Sequence, residues 1–186
     1  MERRNESSMK LRSCTRDEFV AAITTDKADG FAKTFVAKAD MQEQWSECLG
    51  AFDADGDLMG AIITTISKRE PKTANLQLLH TFVKHRRKGV AKELTLQSFA
   101  TAFLKGVQYF RVSAEPDAVK FYENVGFKFW GLQKSGCSLS IFKIDGNSIE
   151  SGLYDDKDPV IRSALYSGKK GSLASSYEEK AMLDGL

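Results

Sequence analysis

The stretch from residue 73 to residue 114 constrains the fold most. "TANLQLLHTFV" carries a nearly continuous apolar run at its centre, as a strand buried on both faces does. It passes directly into "KHRRKG". From about Lys88 to Leu104, Val90, Leu94, Phe99 and Phe103 then point toward a core at roughly helical spacing. Gly106 suits the residue just past a helix end, and "VQYFRVSA" reads as a further strand. A strand–helix–strand crossover follows, and it commits the chain to a mixed α/β fold.

The flanking segments fit around that unit. Met9 to Thr15 is a short extended segment entering "RDEFVAAI", a helix for which Thr15 is the N-cap. A second helix is expected over Gly30 to Glu47, carrying Phe31, Phe35, Met41 and Trp45. "CLGAFDADGDLMGAIITTIS" reads as a hairpin turning at Asp53 to Asp57. Those aspartates resemble part of a calcium loop but lack its closing glutamate, so a turn is expected and no metal. "EPDAVKFYENVGF" is a short helix with Pro116 in its first turn and Gly126 just past its end. "FKFWGLQ" and "CSLSIFKIDG" add two last strands, ending near Gly146. The expected organisation is one domain over 9–146, a flexible extension over 1–8 and a partly helical appendage over 147–186.

Composition narrows the classes. With 27 basic and 25 acidic residues among 186, the net charge is +2. That gives no global argument for nucleic acid, so any anion site is local. Apolar runs such as Leu58 to Ile66 are too short to span a bilayer, and no membrane partner is expected. The opening "MERRNESSMK" lacks the apolar stretch of a secretory signal, and Met9 could serve as the natural start. Cys14, Cys48 and Cys137 are odd in number and widely spaced, matching no disulfide or metal pattern. A reducing, cytoplasmic location is expected.

Electrostatics then singles out one turn. Between Pro71 and Lys92 there is no acidic residue, whereas Lys72, Lys84, Arg86, Arg87, Lys88 and Lys92 are basic. A helix start already carries unpaired N–H groups and partial positive charge, so added cations cost a few tenths of a kcal/mol each, roughly, when nothing is bound. A phosphate reverses that sign. Gly89 and Ala91 carry little side chain, which lets an anion approach the backbone. A solvated basic patch and an anion site remain the two readings of this turn alone.

"LHTFVKHRRKGVAKEL" resembles the acetyl-CoA motif of the GNAT acyltransferase superfamily, [Q/R]-x-x-G-x-[G/A], with Arg86, Gly89 and Ala91 in register. "DAVKFYENVGF" resembles the same superfamily's second motif through Ala118, Tyr122, Gly126 and Phe127. The resemblance runs from Met9 to about Gly146. It implies a GNAT-like domain with a central mixed, mostly antiparallel, twisted sheet flanked by helices. It also implies an acetyl-CoA-dependent N-acyltransferase, with coenzyme A as co-substrate, acting by direct attack of a primary amine on the thioester. By the same resemblance the N–H groups of Arg86, Arg87, Lys88, Gly89, Val90 and Ala91 hold the pyrophosphate. Leu79 and Thr81 pair with the pantetheine arm, and the Leu79 N–H polarises the thioester carbonyl. Tyr122 matches the general acid at the departing sulfur. Proton transfer from a phenol near pKa ~10 to a thiolate near ~8.5 costs roughly 2 kcal/mol, so a hydrogen bond is the safer role.

The general base does not carry over. The family often has a glutamate where Asn75 stands, and neither Asn75 nor Gln77 is a base near neutral pH. His80, Glu115 and a water relay are the alternatives, although strand alternation puts His80 on the other face. Glu115 also replaces an asparagine usual in the second motif. A non-catalytic acyl-CoA-binding scaffold is the competing function, and an acyltransferase acting on a nucleic-acid base or tRNA is a further variant. The acceptor is not legible, because Phe31, Phe35, Trp45 and Trp130 read equally well as core. A homodimer stays open.

Overall fold

The computed structural model describes residues 9–26, 30–68, 72–132 and 138–143, of which those from 128 onward are described by backbone alone. The expected extension over 1–8, the appendage over 147–186 with its "SSYEEKAMLDGL" stretch, and Cys137 lie outside the described residues, as does the Trp130 side chain. The elements are β1 (Lys10–Ser13), α1 (Arg16–Thr25), α2 (Gly30–Met41), β2 (Cys48–Phe52), β3 (Leu58–Ile66), β4 (Thr73–Thr81), α3 (Val90–Leu104), β5 (Tyr109–Ala114), α4 (Val119–Asn124), β6 (Lys128–Leu132) and β7 (Ser138–Lys143). The strand order is β1-β2-β3-β4-β5-β7-β6. β4 and β5 run parallel, as the crossover through α3 requires, whereas β1–β2, β2–β3, β5–β7 and β6–β7 are antiparallel. The expected mixed, mostly antiparallel α/β sheet is present.

The chain falls into two compact units, one from residues up to Thr65 with Gln77–Ser98, the other from Ile66–Leu76 with Phe99 onward. In the first, α1 begins at a complete capping box. Thr15 accepts from the Glu18 N–H at 3.3 Å, and Glu18 Oε2 accepts from the Thr15 N–H at 2.8 Å. The Glu18 carboxyl is pulled down to about 2 by its hydrogen bond from Arg12, at 2.7 Å, and then by the Thr15 N–H. A depressed carboxyl stabilises the fold above its unfolded pKa, and that stabilisation is lost as pH falls from about 4.5 toward about 2. Thr15→Ala therefore costs about 1 kcal/mol at neutral pH, read as a lowered Tm. An unchanged Tm would show that the cap contributes nothing here.

Phe19 of α1 stacks on Phe35 of α2 at 4.3 Å, and both lie in a buried cluster with Phe52, Ile63, Leu78 and Phe82. α2 ends at Met41, not at the expected Glu47. Glu43 takes a left-handed φ of 51°, the Gln44 N–H reaches back to Ala39 O at 3.0 Å, and a separate 3₁₀ turn covers Trp45–Glu47. The indole N–H of Trp45 donates to Asp40 at 2.7 Å, folding the ring back toward Phe19 and Phe35. β1 and β2 bring Cys14 opposite Cys48, with the Cys14 N–H on Cys48 O at 3.0 Å, both side chains buried and both thiols free. Their hydrogen bond, and then burial, push the Cys48 thiol well up.

β4 departs from the expectation of burial on both faces. Ala74, Leu76, Leu78 and His80 are buried, whereas Asn75, Leu79 and Thr81 are half-buried and Gln77 is exposed. Its apolar run reflects one covered face, with Leu79 alone of the leucines on the other. Hydrogen bonds from the Phe82 N–H to Met59 O and from the Ser67 N–H to Thr73 O set β4 antiparallel to β3. Between them β4 advances one residue more than β3 does, the signature of a β-bulge. In the second unit Phe99 packs on Phe110 at 4.6 Å and on Phe127 at 5.7 Å. Phe103, expected in the core, is 46% exposed, because the buried side of α3 runs through Phe99 and Ala102 instead.

Candidate functional site

The basic turn is held from several directions within the first unit. A 3₁₀ turn, Val83–His85, leads from β4 into it. The Val83 N–H donates to the Asp26 carboxylate, just past α1, at 2.8 Å. Arg86 Nε donates to Thr81 O at 3.1 Å, and Lys84 pairs with Asp57 at 3.3 Å. α3 starts at Val90, and the first bond at its start runs from the Glu93 N–H to Gly89 O. The N–H groups of Gly89, Val90, Ala91 and Lys92 therefore have no intrahelical partner. Arg87 and Gly89 both adopt left-handed backbone, φ 62° and 81°, a conformation that gathers successive N–H groups into an anion-binding concavity. A side chain built on Gly89 would meet nothing within 4 Å, so its outer face is open. Arg86, Arg87 and Lys88 are exposed, and among the described residues no carboxylate pairs with Arg87 or Lys88.

Leu79 and Thr81 lie on the half-open face of β4. Among the described residues the rungs from β4 to β5 end at Leu76, before Leu79 and Thr81 are reached. Thr81 Oγ1 is shielded from solvent and has no hydrogen-bond partner among the described residues. Leu79, Thr81 and Arg86 to Ala91 are thus gathered in one unit.

Tyr122 belongs to the second unit. The 3₁₀ turn Pro116–Ala118 opens α4, and the chain leaves it through Gly126, with the Phe127 N–H on Tyr122 O at 2.9 Å. The Tyr122 ring is 5% exposed, with Phe121 edge-on at 5.1 Å and Phe127 at 5.4 Å. Burial pushes the phenol well above its ordinary value, so it stays protonated.

The candidates for a general base fare unevenly. Asn75 is half-buried, and Gln77 donates its amide to Thr65 Oγ1 at 3.0 Å. His80 is buried among aromatic rings: Phe82 at 4.8 Å, Phe31 at 5.7 Å, Phe19 at 6.0 Å and Phe35 at 6.5 Å. Glu115 is exposed and makes no capping bond. Two residues carry no role in the sequence reading but bear on the turn, Asp26 through the Val83 bond and His85 within it. Asp26 left no sequence signal, since its partner is 57 positions away.

No curated protein sequence matches the chain. Solved structures do. An N-acetyltransferase (PaiA) from Thermoplasma acidophilum in complex with coenzyme A matches with a TM-score of 0.61 at 18% identity, over 74% of this chain and 99% of that one. The GNAT family N-acetyltransferase YhbS from Escherichia coli in complex with CoA gives 0.59 at 13% identity, over 82% and 89%. Arylalkylamine N-acetyltransferase 2 from Aedes aegypti gives 0.58 at 12% identity, over 74% and 100%. At such identities the likeness concerns the fold. The acetyltransferase (GNAT) domain family matches residues 19–140, a span that takes in both the basic turn and α4. With that match over most of its length and the same fold in its structural neighbours, the chain belongs to the GNAT acetyltransferase family.

Proposed function

We propose that the protein transfers an acetyl group, or another short acyl group, from acyl-CoA to a primary amine. The observation that carries this reading is the turn from Arg86 to Lys92: four helix-start N–H groups, an open Gly89 and the cations of Arg87 and Lys88, with no carboxylate partner among the described residues, suit a pyrophosphate. The edge of β4 beyond Leu76, where the rungs to β5 end, suits an extended arm added along Leu79 and Thr81. Bound acyl-CoA supplies a thioester that the amine attacks directly, with no covalent enzyme intermediate. The Leu79 N–H polarises the thioester carbonyl and stabilises the charge that develops on its oxygen. Tyr122, kept protonated by burial, donates a hydrogen bond to the departing sulfur.

Acetyl-CoA turnover against small amines, peptides and nucleic acids tests the reading, with Gly89→Ala as the site control. The alanine methyl would stand on the open side of the turn and strain a φ of 81°, so KM for acetyl-CoA rises about tenfold and stability falls by about 1–2 kcal/mol. Failure to bind acetyl-CoA sinks the assignment. One observation favours a second reading, a non-catalytic acyl-CoA-binding protein: the half-open face of β4 carries Asn75 and Gln77 and no carboxylate. Binding without turnover on any acceptor would decide for it.

A further inference from the structure

We propose that His85 is a positioning residue of the basic turn that takes up a proton when a phosphate ligand seats there, so that its own contribution to coenzyme A affinity grows as pH falls. The inference rests on reading that turn as the coenzyme A cradle. His85 closes the 3₁₀ turn one residue before Arg86 and is 5% exposed. Both Nδ1 and Nε2 are shielded from solvent, and neither has a hydrogen-bond partner among the described residues. A buried imidazole left this way forfeits at least one hydrogen bond, a cost that calls for a reason.

The surrounding charges supply one. Lys84 lies in the same turn, Lys88 follows at the start of the cradle, and the charges of Asp53 and Asp57 in the β2–β3 turn act on the ring through space. Burial, then Lys84 and Lys88, hold the imidazole below its ordinary value, and the two aspartates only partly oppose them. Asp57 is itself engaged by Lys84. The ring is therefore neutral in the free protein near neutral pH. A pyrophosphate on the N–H groups from Gly89 to Lys92 brings negative charge beside Lys88 and offsets the cations that disfavour protonation. Burial still opposes the charged ring, but the balance moves toward it. The proton comes from solvent and rests on a ring nitrogen, while Asp53 and Asp57 hold the new charge.

The sign follows from linkage. A group whose pKa is low in the free protein and higher in the complex takes up a proton on binding. Affinity is then greatest below the free value, declines as pH rises toward the bound value, and is flat above it. The 3′-phosphate of coenzyme A titrates in the same region with the opposite sign, so dephospho-coenzyme A, which lacks it, is the cleaner probe.

Kd for dephospho-coenzyme A, measured calorimetrically between about pH 5.5 and about pH 8, should weaken about tenfold for each pKa unit gained on binding. The heat should differ between buffers of different ionisation enthalpy, as proton uptake demands. In His85→Gln and His85→Phe the profile should be flat and the buffer dependence gone. The chain has two histidines, so the His85 imidazole signal is assigned by its disappearance in either variant. Should both variants fail to fold, the wild-type NMR titration decides alone, because at least one of the two imidazole curves must move to higher pH with ligand. A flat wild-type profile, an unchanged slope in the variants, or two imidazole curves unmoved by ligand would each overturn the inference while leaving the cradle intact. No binding of coenzyme A or dephospho-coenzyme A at any pH would overturn the cradle and the inference together.

Discussion

Tyr122→Phe is expected to lower kcat about a hundredfold while leaving KM for acetyl-CoA and Tm nearly unchanged, since a donor used only at the departing group contributes on that order. The ring is buried and clasped edge-on by Phe121 and Phe127, so phenylalanine fills the same space and only the hydroxyl is lost. Desolvation raises the phenol's pKa and widens its gap to a thiolate, which makes complete proton transfer costlier and favours hydrogen-bond donation. The same shift fixes the pH behaviour. A raised folded-state value leaves the stability contribution intact below the ordinary tyrosine pKa of about 10 and erodes it above. Tyr122 then imposes no alkaline decline on activity in the working range. An unchanged kcat in the phenylalanine variant would reduce Tyr122 to a packing ring.

Gly60→Ala is expected to lower stability by about 3 kcal/mol, or Tm by about 6–12 °C for a chain of this size. The added methyl would stand 2.6 Å from His80 O, 3.0 Å from Val90 Cγ1 and 3.2 Å from the Thr81 Cα. The nearest of these is backbone, so no rotamer change relieves the clash and β3 must shift from β4. Val90 is the first residue of α3 and Thr81 the last of β4, so the displacement reaches both flanks of the basic turn. KM for acetyl-CoA rises with the loss of stability. A variant with wild-type Tm would show that the strands absorb the methyl freely.

What was legible in the sequence was local in origin. The Thr15 cap, the Asp53–Asp57 turn, the helix end near Gly106 and the crossover from β4 through α3 to β5 each rest on neighbouring residues and were readable from them. The features that escaped depend on partners distant in sequence. The approach of Cys14 to Cys48 follows from the β1–β2 register, and the one-sided burial of β4 depends on which elements cover it. α2 ends early because Glu43 turns left-handed and Trp45 folds back onto Asp40, which no spacing of apolar residues reveals. His85 carried no role in the sequence reading, because its burial is set by tertiary packing and not by its neighbours in sequence.

The half-open face of β4 has a consequence for the acceptor. Asn75 and Gln77 accept no proton near neutral pH, and His80 is closed in by aromatic rings. On the proposed function, an amine that meets this strand without help from Glu115 or a water relay gains reactivity by arriving already neutral. At pH 7 roughly one in ten α-amino groups is neutral, against roughly one lysine side chain in two thousand. On that reading basicity itself sorts the acceptors, and weakly basic amines are expected to be acylated ahead of lysine in a competition assay.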